Sequence, residues 1–304
     1  MSAPTRPQAL VDYLRLAADY LQKSGSASPR LDAELLLAHV LGMDRVALYV
    51  NFDRPLVPGE VDRYRELLRQ RARGTPIAYI LGSKPFLTTR VAVGPGVLIP
   101  RPETELLVEA AAARLREMPG EELLAADVGT GSGAIAIGLA LLEPRARVAA
   151  LDISADAVRT ARANVERHGL ENRIEVMEGD LLAPLAEPPR ARRWAGRLDA
   201  VVSNPPYIAT PELATLPRDI RDFEPRVALD GGPDGLAVYR RLIPQAAALL
   251  RPGGLLALEI GSDQGEALQR LLAADGRWRS VELRRDYAGQ DRIVLAEKET
   301  TTAP

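Results

Sequence analysis

From Leu123 to Ile260 the chain alternates short apolar runs with segments of helical periodicity, and this alternation constrains the fold more than any other feature. Leu123–Val128, Arg147–Ile153, Ile174–Gly179, Leu198–Ser203 and Leu255–Ile260 read as strands, with helices at Ala134–Leu142, Ala155–His168 and Leu236–Leu250. Apolar runs of this kind are buried on both faces. They belong to a mostly parallel α/β sheet with helices packed on either side. A helix around Gly265–Ala273 and strands near Arg279–Leu283 and Arg292–Ala296 complete seven strands. Only the short turn Asp286–Gln290 separates the last two, so one strand must run antiparallel.

Upstream, Leu10, Leu14, Leu16, Ala17 and Leu21 repeat at helical spacing. Ser28 and Pro29 open a second helix that Gly42 closes, and a third spans about Pro58 to Ala72. Residues 1–75 therefore read as a small helical domain. Between 76 and 101 the period changes to two, which reads as a β-hairpin connector; Pro102 then opens a helix and the sheet domain, 102–298. Ala183–Gly196, rich in Pro and Arg, reads as a surface loop, and 299–304 as a disordered tail.

Lys and Arg number 39 against 41 Asp and Glu, a net charge of −2 in 304 residues. A dedicated duplex binder needs a cationic surface, so direct nucleic-acid binding is not expected. The absence of cysteine excludes disulfides, thiolate zinc sites and cysteine nucleophiles. His39 and His168 are the only histidines, too few for a His-based metal site with a spare base, so no metal is expected. No apolar run approaches the ~18 residues of a membrane span. Asp12 and Asp19 interrupt the N-terminal apolar pattern, which does not read as a signal peptide. The expected location is the cytoplasm.

Chemistry gathers at strand ends. The first strand runs through Asp127 and Val128 into Gly129-Thr130-Gly131-Ser132-Gly133 and then a helix. Such glycines let the backbone turn tightly and approach a ligand. The spacing misses the dinucleotide fingerprint, and no P-loop lysine follows. Asp152 ends the second strand, where an acid can accept from both ribose hydroxyls of a nucleoside; Asp180, after the third, is placed for an adenine amino group. Either acid alone could be a helix cap, but three successive strand ends together make a nucleoside pocket. The fourth strand ends in Ser203-Asn204-Pro205-Pro206-Tyr207. The prolines stop the ladder. The Asn204 amide oxygen and the Pro205 carbonyl can accept both N–H bonds of one planar NH2 group, with Tyr207 as an aromatic face beside it.

The glycine loop, Asp152 and Asn-Pro-Pro-Tyr together resemble S-adenosylmethionine-dependent methyltransferases of planar amino groups. Phe86, Leu98-Ile99-Pro100-Arg101-Pro102-Glu103-Thr104-Glu105, the segment Phe223–Gly232, and Glu259-Ile260-Gly261 with Gln264 are similar to the peptide chain release factor glutamine N5-methyltransferases. The resemblance covers about residues 8–297. It implies a seven-stranded Rossmann-like methyltransferase sheet, mostly parallel with one antiparallel strand, preceded by the helical domain and the hairpin. It also implies S-adenosylmethionine as donor. Gly129, Thr130, Gly131, Ser132 and Gly133 would line its methionine and ribose, Asp152 its ribose hydroxyls, and Asp180 with Leu181 its adenine side. Asn204, Pro205, Pro206 and Tyr207 would hold the glutamine amide of a release factor's Gly-Gly-Gln loop, with Asn204, Pro205 and Tyr207 catalytic and Asn204 also touching the donor.

The tetrapeptide is shared with adenine methyltransferases. Methylation of an exocyclic amino group in nucleic acid, or of a ribosomal-protein glutamine, is therefore the alternative reaction. A nucleoside-binding scaffold is the alternative without catalysis. Glu224 and Arg226 are expected to pair at the mouth of the site. The helical domain carries no chemical motif and is expected to recognise the protein substrate.

Overall fold

The computed structural model describes residues 9–300, which divide into two compact units. One consists of residues 9–83 with Pro217–Phe223. Within residues 9–83 its helices are α1 (Leu10–Lys23), α2 (Pro29–Leu41), α3 (Arg45–Val50), α4 (Pro58–Ala72) and α5 (Ile77–Leu81). The apolar positions at helical spacing converge: Leu10, Leu14, Leu21, Leu36, Leu37 and Tyr64 are all buried in one core. The Tyr64 hydroxyl donates to the Ala33 carbonyl at 2.9 Å, so its burial strands no polar group. Pro29 opens α2, and Gly42 closes it in the left-handed region at φ 64°. Ser28 sits at the cap position without a capping bond from its side chain.

Two short helices correct the sequence reading of this region. Residues 77–81, expected as part of the hairpin, form a helical turn between Pro76 and Gly82, which ends it at φ 69°. The hairpin is confined to β1 (Ser83–Phe86) and β2 (Thr89–Ala92). α3 was not expected. Six residues are under two turns, and Val46, Tyr49 and Val50 face solvent, so no inward stripe marks it. Its one local signal is Asp44, whose side chain accepts from the Ala47 N–H at 2.7 Å.

In the other unit, the hairpin is followed by α6 (Pro102–Glu117), β3 (Leu123–Val128), α7 (Ala134–Leu142), β4 (Ala146–Asp152), α8 (Ala155–Arg167), β5 (Ile174–Glu178) and β6 (Leu198–Ser203). Then come α9 (Ala237–Leu249), β7 (Leu250–Glu259), α10 (Gly265–Asp275), β8 (Trp278–Arg285) and β9 (Asp291–Lys298). The sheet order is β5-β4-β3-β6-β7-β9-β8. β9 runs antiparallel to both its neighbours, and the other strands share one direction. Every residue of β3 and β6 is buried, which is why their sequences do not alternate.

Register decides what can meet. Val128 pairs with Leu151 on one side and with Ser203 on the other. The residues after β3, β4 and β6 therefore emerge side by side at the carboxyl edge. The chain leaves β3 toward β4 and later returns to β6 on the opposite side. Such a switch of direction opens a crevice.

The segment 183–196 is more than the expected surface loop. It forms helical turns at Ala183–Ala186 and Ala191–Trp194, and Leu185 and Trp194 are buried in the sheet core. The expected tail lies outside the described residues from 301 onward. Glu299 still donates its N–H to the Arg277 carbonyl at 2.9 Å.

Candidate active site

Gly129, Gly131 and Gly133 all adopt positive φ (73°, 56° and 83°), which side chains resist. A Cβ on Gly129 or Gly131 would meet no atom within 4 Å, so the bare backbone leaves room for a ligand rather than for a neighbouring side chain. Gly133 serves packing instead: its Cβ would press on Ala161 of α8 at 3.4 Å. Thr130 and Ser132 are buried, and the Thr130 hydroxyl donates to Asp127 at 2.6 Å. Asn164, which the sequence did not single out, supports the loop from below. Its Nδ2 donates to the Ser132 carbonyl at 2.8 Å and to Ala92 of the hairpin at 2.9 Å.

Beneath the loop Asp127 is fully buried, and its Oδ2 also accepts from the Ala136 N–H at 3.0 Å. Its Oδ1 has no partner. Burial pushes the carboxyl up to about 7, against the hydrogen bonds from Thr130 and Ala136. The folded protein thus holds a proton there over a range in which the unfolded chain has released it. Stability must fall as pH rises from about 4 to about 7. Buried Glu259, also pushed up to about 7 by desolvation, adds to the decline. Thermal unfolding of Asp127→Asn should show a shallower decline across that window than the natural protein. An unchanged slope would mean that Asp127 titrates alike in both states.

Asp152 accepts from the Gly131 N–H and the Ser154 N–H, each at 2.9 Å, so one carboxylate ties the loop to the start of α8. Desolvation raises its pKa against those bonds. A cavity of about 240 Å³ opens here, lined by Gly129, Gly131, Asp152, Asp180 and Leu181 and, from the far side, Asn204 and Pro206. Asp180 pairs with Arg241, which also lines the cavity. Leu181 is held at φ 51° and packs partly against the sheet core. Pro205 and Tyr207 do not line this cavity. Pro205 is buried, and Tyr207 lines an adjoining hollow with Gln264. Burial pushes the Tyr207 hydroxyl up to about 12, so it stays neutral and offers a ring rather than a base.

Residues far apart in sequence clamp this strand end. Ser203 Oγ donates to the Val128 carbonyl at 2.6 Å, and Asn204 Nδ2 donates to Thr104 Oγ1 at 3.2 Å. Gln264 Nε2 donates to the Tyr207 carbonyl at 2.9 Å. Residues 229–232 lie alongside the next three: Ile208 donates to Leu229 at 3.0 Å, Gly231 to Ile208 at 2.8 Å and Thr210 to Gly232 at 2.8 Å. The expected pair of Glu224 with Arg226 does not form. Glu224 is buried and takes Arg101 at 2.5 Å and the Ile99 N–H at 3.2 Å, whereas Arg226 turns to Asp230 at 3.0 Å. A buried carboxylate needs a partner it can reach, and here that partner is Arg101.

The cavity suits a cationic nucleoside. It presents open glycine backbone and the carboxylates of Asp152 and Asp180, and its lining cation Arg241 is paired with Asp180 rather than left for a phosphate chain. With Asn204 and Pro206 of the Asn-Pro-Pro-Tyr segment lining the same cavity, fold and site define an S-adenosylmethionine-dependent methyltransferase.

Comparison with known proteins narrows that class. Residues 12–82 match the family described as PrmC N-terminal domain, and 102–216 match the methyltransferase small domain. The chain is 47% identical over 292 residues to the release factor glutamine methyltransferase of Moorella thermoacetica, covering 96% of this chain and 98% of that one. To the protein of the same name in Geobacter sulfurreducens it is 42% identical over 275 residues, covering 90% and 92%. Human methyltransferase 10 domain containing protein, 16% identical with a TM-score of 0.52 over 70% of this chain and 88% of that one, shares the fold. The chain belongs to the release factor glutamine methyltransferase family.

Asp152 gives the donor site a direct test. If Asp152 accepts the ribose hydroxyls, Asp152→Asn keeps the size and removes the charge, so each of those bonds loses its charge assistance, about 1 kcal/mol or more. Calorimetry with the demethylated product should show affinity about tenfold weaker or worse. Unchanged affinity in a folded variant would place the ribose elsewhere.

Proposed function

We propose that Asn204 Oδ1 and the Pro205 carbonyl accept the two N–H bonds of the glutamine side-chain amide in a release factor's Gly-Gly-Gln loop. Tyr207 packs against the amide plane, and Asp152, the glycine loop, Asp180 and Leu181 hold the methyl donor. One observation carries the reading: Asn204 and Pro206 line the same cavity as Gly129, Gly131 and Asp152.

S-adenosylmethionine, when bound, supplies a sulfonium methyl already activated for attack. The remaining difficulty is the nucleophile, because an amide nitrogen delocalises its lone pair into the carbonyl. Two fixed acceptors orient both N–H bonds and favour partial pyramidalisation, which turns the lone pair outward for in-line transfer. A proton leaves readily once nitrogen carries positive charge, so no strong base is required. Tyr207, held neutral, agrees with that economy.

A net charge of −2 weighs against a dedicated nucleic-acid binder and supports a protein acceptor. We place the reaction in the cytoplasm; no helix among the described residues is long and apolar enough to cross a membrane. Giving labelled donor to hypomethylated extract tests the acceptor class. Label should enter protein of release-factor size, and label in RNA alone would overturn the reading.

The helical unit is assigned to substrate recognition. A narrow catalytic mouth offers less than the roughly 800 Å² per partner that a specific interface uses. The unit exposes Val46, Tyr49, Val50 and Phe52, at 71%, 54%, 73% and 56% of their surface. Clustered exposed apolar side chains mark interaction sites. The double substitution Val46→Glu/Val50→Glu should lower kcat/KM for the intact factor about tenfold or more while sparing donor affinity. An unchanged kcat/KM would give this surface another role.

A further inference from the structure

Thr104 has one hydroxyl proton, and the structure directs it at Glu259: Oγ1 donates to Oε2 at 2.7 Å. With that proton committed, Thr104 Oγ1 can only accept from Asn204, and Asn204 Nδ2 lies 3.2 Å away. Thr104 and Glu259 are 3% and 1% exposed, so water does not compete for these bonds. An asparagine amide presents oxygen on one side and NH2 on the other. Once Nδ2 is held by Thr104, Oδ1 must be the atom that faces elsewhere.

We propose that Thr104 and Glu259 are positioning residues that fix the amide of Asn204, so that its oxygen and not its NH2 meets the substrate. This rests on the reading of Asn204 as an acceptor for the glutamine amide. Neither residue touches the reacting atoms, and both act through Asn204.

The chain of bonds has a direction, and the charge on Glu259 sets it. Ionised, Glu259 can only accept, and the chain runs from Asn204 through Thr104 to the carboxylate. Protonated, Glu259 can donate to Thr104 Oγ1, which frees the threonine proton to turn toward Asn204. In that arrangement the asparagine amide turns over and offers NH2 to the NH2 of the substrate, donor against donor.

The groups facing Glu259 are few. Desolvation raises its pKa, Thr104, Arg292 and Arg101 oppose that, and Glu103 reinforces it, leaving the carboxyl at about 7. Tyr239 donates its hydroxyl to the Glu259 backbone carbonyl at 2.7 Å. Tyr207 and Tyr239 are both pushed above the ordinary tyrosine value by burial and stay neutral in this range. Turnover should therefore rise with pH through about 7, as Glu259 ionises.

The test compares Thr104→Val, Thr104→Ser, Glu259→Gln, Asn204→Ala and the double variant Thr104→Val/Asn204→Ala in the full chain, with release factor as substrate. Thr104→Val should lower kcat about tenfold or more, with KM for the factor and donor affinity within about threefold. Thr104→Ser, which keeps the hydroxyl, should restore kcat. In the Asn204→Ala background Thr104→Val should cost no further turnover, because its only route is gone. Glu259→Gln does not titrate and should lose the rise near pH 7. If the rise persists in that variant, or if Thr104→Val costs equally in both backgrounds, the positioning role is wrong. If Asn204→Ala itself turns over normally, the reading beneath it falls, a result distinguishable from the first two.

Discussion

Asn204→Ala should lower turnover on the release factor by about two or more powers of ten while leaving donor affinity nearly intact. The size follows from removing a preorganised polar contact that strengthens as charge develops on nitrogen. The selectivity follows from geometry: most of the cavity wall on the donor side comes from the ends of β3, β4 and β5, and Asn204 follows β6. With the acceptor gone, one substrate N–H is unpaired and the lone pair is free to turn away from the methyl group. Single-turnover methylation, with donor affinity from calorimetry, separates the two quantities. Near-normal turnover would reject the role of Asn204. A large loss of donor affinity instead would make it a donor-site residue first.

Much of this site is legible in the sequence because it is local. Strand ends in a parallel sheet share one edge, so the sequence pattern alone gathers Gly129–Gly133, Asp152, Asp180 and Asn204. It does not show what holds them. Thr104 and Asn204 are 100 residues apart, Thr104 and Glu259 155, and Ile99 and Glu224 125, and no period or spacing encodes such pairs. The motifs that carried the family resemblance turn out to be this supporting layer. Glu224 is the instructive error, since its sequence neighbour Arg226 is spent on Asp230 and burial sends it to Arg101. In the fold, the misread pieces are short. Ile77–Leu81 and Arg45–Val50 offer too few residues for helical periodicity to outweigh alternation or exposure. Trp194 and Leu185 are two buried anchors that the Pro- and Arg-rich composition of their stretch hides.

Gly231→Ala should be nearly as damaging as Asn204→Ala. A Cβ there would sit 2.8 Å from the Pro206 carbonyl oxygen and 2.8 Å from that of Gly235. Both are backbone atoms, in a segment where Gly231 also donates to Ile208 at 2.8 Å. Neither can swing aside as a flexible side chain would, so the Asn204–Tyr207 segment must shift. A displacement of about 1 Å at a positioning group costs about a hundredfold in rate, and the overpacking itself costs roughly 1–3 kcal/mol of stability. Turnover should fall about a hundredfold in a protein that still folds. Gly59→Ala, on α4 with nothing within 4 Å of the added methyl, is the matched control and should behave as the natural chain. Equal activity of the two variants would show that the strand end tolerates movement.

The most direct measurement is peptide mapping by mass spectrometry of a release factor treated with this enzyme and S-adenosylmethionine. One methyl group should be found on the side-chain nitrogen of the glutamine in the Gly-Gly-Gln loop, and a factor carrying glutamate in its place should stay unmodified. A methyl group on any other residue, or equal modification of the glutamate-bearing factor, would contradict the assignment of Asn204 and Pro205 to a glutamine amide.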